Sequence, residues 1–276
     1  MKIQYKDKQT IVFESALFKT TSTLFFNKEI NLLVDPNWLP NEIDFIYNEQ
    51  TKLSKKTKSF LFFTHSDYDH IIGYGKFKAN TKTIASKHFV ENPNQSNQLE
   101  EIYTFDDSYY IKRTYKIEYP TIDYIIKEKE EVLTLGNDEY IFYEALGHNN
   151  DGLILYIPNQ KILIVGDYLS NIEFPYIYHS CTAYRHTLNI LKHIIETKEV
   201  RLLISGHGNI TTNIREMNQR LSHSFAYLDE LEDSVQSNKN FDTDALFKRY
   251  HFSRSMSKVH AENLSLAQRE FHLTKP

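Results

Sequence analysis

The chain has 276 residues, 41% of them hydrophobic and 25% charged, which supplies a sizeable core and suits one sandwich or α/β domain. A net charge of −4 and a pI near 6.3 argue against an extended nucleic-acid surface, which needs clustered positive charge to displace counterions from phosphates. One cysteine, Cys181, excludes an internal disulfide and a zinc-thiolate cluster, so ordinary packing is its expected role.

The opening MKIQYKDKQT lacks the apolar core of a signal peptide, and no 18-residue apolar run follows. A cytoplasmic protein without a membrane partner is expected. Residues 11–14, 23–26 and 31–34 read as strands in hairpins, the outer part of one sheet. From residue 40 a helix is expected, with Asn41 as its cap, running into the basic connector KLSKKTK at 52–58, a solvated surface loop.

Residues 60–63, FLFF, form a short unbroken apolar run that suits a strand buried on both faces. It leads into His65, Asp67 and Asp69, which alternate and would project to one side if the extended geometry persisted, with His70 where the chain turns. Residues 71–73 are expected to open a helix and 83–85 to form a strand. His88 has no partner at metal spacing and reads as a surface or capping histidine. The polar, then Tyr-rich segment 91–120 reads as a helix plus an excursion over the site, or equally as an aromatic surface packed on the sheet.

Three later apolar runs, 140–147, 161–166 and 200–206, deliver His148, Asp167 and His207, each just after a Gly, where the backbone bends tightly or approaches another group. A single polar loop after a strand often carries His or Asp only as turn formers. Four such runs suggest loops that converge at one end of a rigid sheet. On that basis Tyr168, Phe174, Tyr176 and His179 are candidates for pocket walls. His179, His186 and His193 recur every seven residues, but Leu188, Leu191 and Ile195 form the apolar stripe of that helix, which leaves His186 and His193 on a solvated face. Beyond residue 213 the chain reads as helices, with Leu221, Phe225, Leu228 and Leu231 as a packing stripe and His223 off it. Residues 237–240 break the pattern, and a last segment carries His251, His260 and His272 over the sheet or into a subunit contact.

HSDYDH at 65–70, GH at 147–148, GD at 166–167 and SGHG at 205–208 resemble, in order, the motifs of the metallo-β-lactamase superfamily. NLLVDP at 31–36 resembles the early strand and Asp of such domains, and EVLTLGNDEYIFYEALGH at 131–148 the paired strands before the third motif. The resemblance covers roughly residues 10–215 and implies a four-layer αββα sandwich of two mixed β-sheets flanked by helices. One domain over residues 1–276 is expected, with 213–276 as its C-terminal helical extension. Carried over residue by residue, the family pattern puts one metal on His65, Asp67 and His148, the other on Asp69, His70 and His207, and Asp167 between them.

The family's HxHxDH motif has Asp67 in place of its second His, which adds a carboxylate and shifts preference toward harder cations. Two divalent metal ions are implied, zinc first, with iron or manganese as the other choices. The implied function is a metal-dependent hydrolase that activates water on its cations to attack an ester, lactone, thioester, amide or phosphodiester of a small-molecule substrate. Asp69 would be catalytic, orienting that water. The alternative is iron-dependent redox or oxygen chemistry at a diiron or mono-iron site, since the flavodiiron branch also has a carboxylate at this position and uses two irons. A binding protein with a vestigial site ranks below both, because all seven positions keep competent ligands.

Overall fold

The computed structural model describes residues 1–53, 57–237, 239–250 and 252–272. The chain divides into two compact units, Met1–Glu144 with Asp151–Asn159, and Ala145–Asn150 with the chain from Gln160 onward.

The first unit begins with strands β1 (Lys2–Lys6), β2 (Thr10–Glu14), β3 (Thr21–Phe26) and β4 (Ile30–Val34), joined antiparallel as the hairpin pattern predicts. Helix α1 (Pro40–Thr51) follows. Its N-cap is Leu39, not the expected Asn41: Pro40 takes the first helical position, and the Glu42 carboxylate accepts the Leu39 N–H at 3.2 Å. Glu42 also accepts from Ser15 Oγ at 2.7 Å, so the cap is tied to the turn between β2 and β3.

Next come β5 (Lys58–Phe62), the short helices α2 (Tyr68–Ile71) and α3 (Tyr74–Phe77), and β6 (Thr81–Ser86). They are followed by α4 (Lys87–Val90), α5 (Gln95–Ser108) and β7 (Tyr124–Ile126). Strands β4 to β7 are parallel neighbours and complete a seven-stranded sheet in chain order, β1 to β7. A meander, β8 (Glu130–Leu135), β9 (Asp138–Glu144) and β10 (Leu153–Ile157), closes the unit.

Burial on both faces of β5 follows from the alternation of its side chains. Leu61, with Phe63 just beyond the strand, joins Phe13, Leu24, Leu33, Trp38, Ile43 and Ile46 in the core under the helices. Phe62 points the other way and meets Phe142 of β9 edge-on, ring centres 5.1 Å apart. Segment 91–120 resolves into α5 and an irregular stretch whose Tyr115 and Tyr119 pack half-buried on that core. His88 is on the surface, 3.8 Å from Glu144.

The second unit contains the parallel strands β11 (Ile162–Ile164) and β12 (Leu202–Ile204), linked by helix α6 (Cys181–Thr197). Helices α7 (Ile214–Gln236), α8 (Thr243–Arg249) and α9 (Ser253–His272) complete it. Helix α6 buries the predicted stripe of Leu188, Leu191 and Ile195 and exposes His186 and His193. In α7, Leu221, Leu228 and Leu231 are buried as expected, joined by Tyr227.

His260 of α9 is buried, as a segment that packs on the rest of the protein requires, with Nδ1 3.0 Å from the Tyr227 hydroxyl. Asn263, one turn on, donates to that hydroxyl at 2.8 Å and to the Pro175 carbonyl at 2.7 Å. The expectations for residues 54–56 of the basic connector, for Asn238 and for His251 lie outside the described residues. By sheet, the strands of the described residues make two mixed β-sheets with flanking helices, the α/β class the sequence predicts. Among the described residues no helix is long and apolar enough to cross a membrane.

Candidate metal centre

In the first unit the parallel pairing of β4 and β5 sets Asp35 beside the residues that follow Phe63. Asp35 adopts a φ of 45°, a left-handed conformation that Asp tolerates better than most residues. Its carboxylate accepts the Thr64 N–H at 2.9 Å, the Thr64 hydroxyl at 2.6 Å and His70 Nδ1 at 2.9 Å. Since the Thr64 proton goes to Asp35, the Thr64 oxygen is left to accept from His65 Nδ1, 2.9 Å away. Both imidazoles are thereby fixed in the tautomer that presents Nε2 to a ligand.

The alternation expected for His65, Asp67 and Asp69 does not persist. Asp67 is the N-cap residue of α2, and Asp69 and His70 lie within that helix, which starts three residues earlier than expected. The turn still groups the donors: His65 Nε2 is 3.5 Å from Asp67 Oδ2, and His70 Nε2 is 3.7 Å from Asp69 Oδ2. Behind them, Asp151 accepts from the Ser66 N–H at 3.3 Å and from Asn92 Nδ2 at 3.3 Å, and burial pushes its carboxyl pKa up.

In the second unit Gly147 has a φ of 123°, and a Cβ there would stand 2.2 Å from the Tyr184 backbone nitrogen. The close approach expected of this Gly is real. Gly166 also has a positive φ, of 53°, whereas near His207 the left-handed residue is Gly208 rather than the preceding Gly206. The His148 N–H donates to the Tyr168 hydroxyl at 3.0 Å, which passes its own proton to the Leu146 carbonyl at 2.9 Å. His148 Nδ1 donates to the Tyr176 carbonyl at 2.8 Å, again leaving Nε2 to face outward from the loop. Asp167 Oδ2 lies 3.3 Å from His148 Nε2 and 3.2 Å from His207 Nε2.

These distances test whether the residues suit metal ions. Two ligand atoms each about 2.1 Å from one ion at a tetrahedral angle stand roughly 3.4 Å apart. The four His–Asp separations, 3.2 to 3.7 Å, bracket that value and sit at or beyond the long end of an N–H···O hydrogen bond. Buried imidazoles oriented by Asp35, Thr64 and the Tyr176 carbonyl have the second layer of support that metal-ligating histidines require. Within each unit the paired donors fit a metal ion.

The structure assigns other work to the expected pocket walls. Tyr168 is buried and carries the His148 loop, and burial raises its phenol pKa. Phe174 is also buried, stacked on Tyr227 at 5.0 Å. Tyr176 contributes its carbonyl to His148, and His179 is exposed. Cys181 packs as expected, its thiol pushed up to about 12 chiefly by burial. Asp35 was visible in the motif at 31–36, but its hold on His70 was not, because the two are 35 residues apart in sequence.

Comparison with known proteins bears on the family and the fold. The family model described as the metallo-beta-lactamase superfamily matches residues 16–207, more than half of the chain. No curated protein matches. Among solved structures, the stereoselective inverting sec-alkylsulfatase Pisa1 from Pseudomonas sp. is 15% identical with a TM-score of 0.63, over 84% of this chain and 42% of that one. An archaeal metallo-beta-lactamase superfamily protein from Sulfolobus tokodaii is 17% identical with a TM-score of 0.54, over 79% and 86%. The chemotaxis sensor ODP, described as a peroxy diiron species, is 14% identical with a TM-score of 0.55, over 83% and 94%. This chain spans less than half the length of the alkylsulfatase it matches. At such identities the structures speak for the fold, whereas the family match runs from residue 16 through His207, and the chain belongs to the metallo-β-lactamase superfamily.

Proposed function

We propose that this chain is a metal-dependent hydrolase of a small-molecule substrate. His65, Asp67 and His148 would hold one divalent cation, Asp69, His70 and His207 a second, and Asp167 would bridge them. The observation that carries this reading is the single oxygen Asp167 Oδ2, nearly equidistant at 3.3 and 3.2 Å from the Nε2 atoms of His148 and His207 on different loops, so that one carboxylate could serve both imidazoles as a shared metal ligand. Two cations so held would supply Lewis-acid polarisation and would acidify water toward neutral pH.

The protein's own groups do the rest. Asp35, Thr64 and the Tyr176 carbonyl orient His70, His65 and His148, and Asp69 would accept a hydrogen bond from a water and so orient it. Zinc is the first expectation, with iron or manganese favoured by the extra carboxylate of Asp67. An ester, lactone, thioester, amide or phosphodiester would present the same kind of electrophilic centre.

The test is metal content together with turnover of generic ester, lactone, β-lactam and phosphodiester substrates. His65→Ala and Asp167→Ala, each shown to be folded by thermal melting, should lose metal and hydrolysis together. Full turnover by such a folded variant would refute the assignment. A second reading, iron-dependent redox or oxygen chemistry, is favoured by Asp67 and by the likeness to ODP. It would be supported by iron in protein purified without added metal, an EPR or optical signature, and no turnover of the hydrolase panel.

A further inference from the structure

Beside the ligand loop of the first unit lies an open cleft of about 560 Å³, lined by Tyr68, Phe105 and Tyr109, by Glu100 and Glu101, and by Asn97, Thr104 and Ser108. Its aromatic wall is stiff. Buried Trp38 packs on Phe105 at 4.7 Å and meets Tyr68 edge-on at 5.3 Å, while Phe105 packs on Tyr109 at 4.8 Å. Its charge has one sign. No Lys or Arg lines it, and neither Glu100 nor Glu101 forms an ion pair among the described residues. Arg113 nearby is committed elsewhere, both to Asp106 at 2.8 Å and to the Trp38 carbonyl.

The cleft adjoins the candidate metal ligands. Tyr68 stands between Asp67 and Asp69 in the α2 turn, and the Glu101 carboxyl is raised in pKa first by burial and then by the charges of those two aspartates. Aromatic faces beside carboxylates attract a cation flanked by apolar groups, and they disfavour an anion.

We propose that this cleft binds an ammonium group of the substrate, seated against Tyr68, Phe105 and Tyr109 and paired with Glu101, while the scissile bond lies toward Asp67 and Asp69. The inference rests on reading the ligand motif as the reaction centre, and it narrows the substrate class to compounds that carry an amine or quaternary ammonium arm.

The probe is choline, paired with its neutral isostere 3,3-dimethylbutan-1-ol. Both are titrated into the intact protein and followed by saturation-transfer NMR of their nine equivalent methyl protons. Choline should bind at least tenfold more tightly than the alcohol, and Glu101→Gln and Tyr109→Ala should each weaken choline by about tenfold while leaving the melting temperature unchanged. Equal binding of the two probes, no binding of choline, or choline binding unaltered in both variants would overturn the proposal. Choline contains no hydrolysable bond, so this outcome is independent of whether the enzyme reading, tested by metal content and turnover, survives.

Discussion

The two units position ligand-type side chains by different means. The first concentrates four of them, His65, Asp67, Asp69 and His70, in six residues and orients them with side chains, chiefly Asp35 and Thr64. The second takes one each from three loops and orients them through backbone: the tight seat of Gly147, the Tyr176 carbonyl that receives His148, and the Gly206 N–H that donates to the Gly166 carbonyl at 2.6 Å. Its support also extends into helices beyond the family match at residue 207. Arg220 of α7 donates to the carbonyls of Asn209 and Leu169, each two residues after His207 and Asp167 in the chain. Damage to the first unit's scaffold should therefore cost chemistry before stability, and damage to the second's should cost stability first.

The largest effect is expected at Gly147. In Gly147→Ala the new methyl would stand 2.2 and 2.3 Å from the Tyr184 backbone nitrogen and Cα and 2.6 Å from its Cβ while the residue keeps a φ of 123°, so strain and overlap add. A loss of roughly 3 kcal/mol or more is expected in urea denaturation. A loss below about 1 kcal/mol would mean that the loop adapts freely and that backbone fit does not position His148.

Asp35→Asn probes the opposite arm. The shape survives, but His70 loses its anionic partner, and metal affinity should fall about 10- to 100-fold in competition with a chelator. Secondary structure by circular dichroism should stay that of the parent. Unchanged affinity would break the comparison at its first term, because His70 would then be held by packing alone.

What the sequence could tell divides along the same line. The β5 strand and the dense motif after it are legible because apolar runs and neighbouring ligands are local signals. The turn into α2 was not: two aspartates and a histidine in sequence do not reveal whether the chain stays extended or coils, and the helix groups the same donors by another geometry. Partners remote in sequence were equally hidden. Asp35 with His70, Asp151 with Ser66, and Glu42 capping α1 while accepting from Ser15 all depend on tertiary contact. Tyr168 and Phe174, candidates for pocket walls from their place after a strand end, are buried, because proximity in sequence to a ligand does not separate a wall from a core.

Tyr168→Phe should have an intermediate effect. Removing the hydroxyl strands the buried His148 N–H and takes a donor from the Leu146 carbonyl, a cost of about 1–3 kcal/mol in urea denaturation. The same variant should loosen metal less than Asp35→Asn does, since His148 Nδ1 keeps the Tyr176 carbonyl. The reverse order of metal affinities would show that the second unit's backbone, rather than Asp35, sets ligand geometry.

The smallest effect is expected farthest along the chain. Glu270 of α9 accepts from the N–H groups of Cys181 and Thr182 at 2.8 and 3.0 Å and from Ser180 Oγ at 2.9 Å, capping α6, whose Tyr184 backbone forms the seat of Gly147. Burial works against its charge, but the hydrogen bonds from Thr182, Cys181 and Ser180 outweigh it and lower its pKa below the usual 4.5. A carboxyl depressed on folding contributes stability that is fully present above about pH 4.5 and is lost as the pH falls through its folded value. Glu270→Gln should thus cost about 0.5–1 kcal/mol near neutrality, a figure discounted for the solvent that reaches this half-exposed group. The gap in melting temperature between parent and variant should close below pH 4. A gap that persists there would mean that the amide's shape, and not the lost charge, disturbs the helix start, and that the last helix supports the His148 loop by packing rather than by its carboxylate.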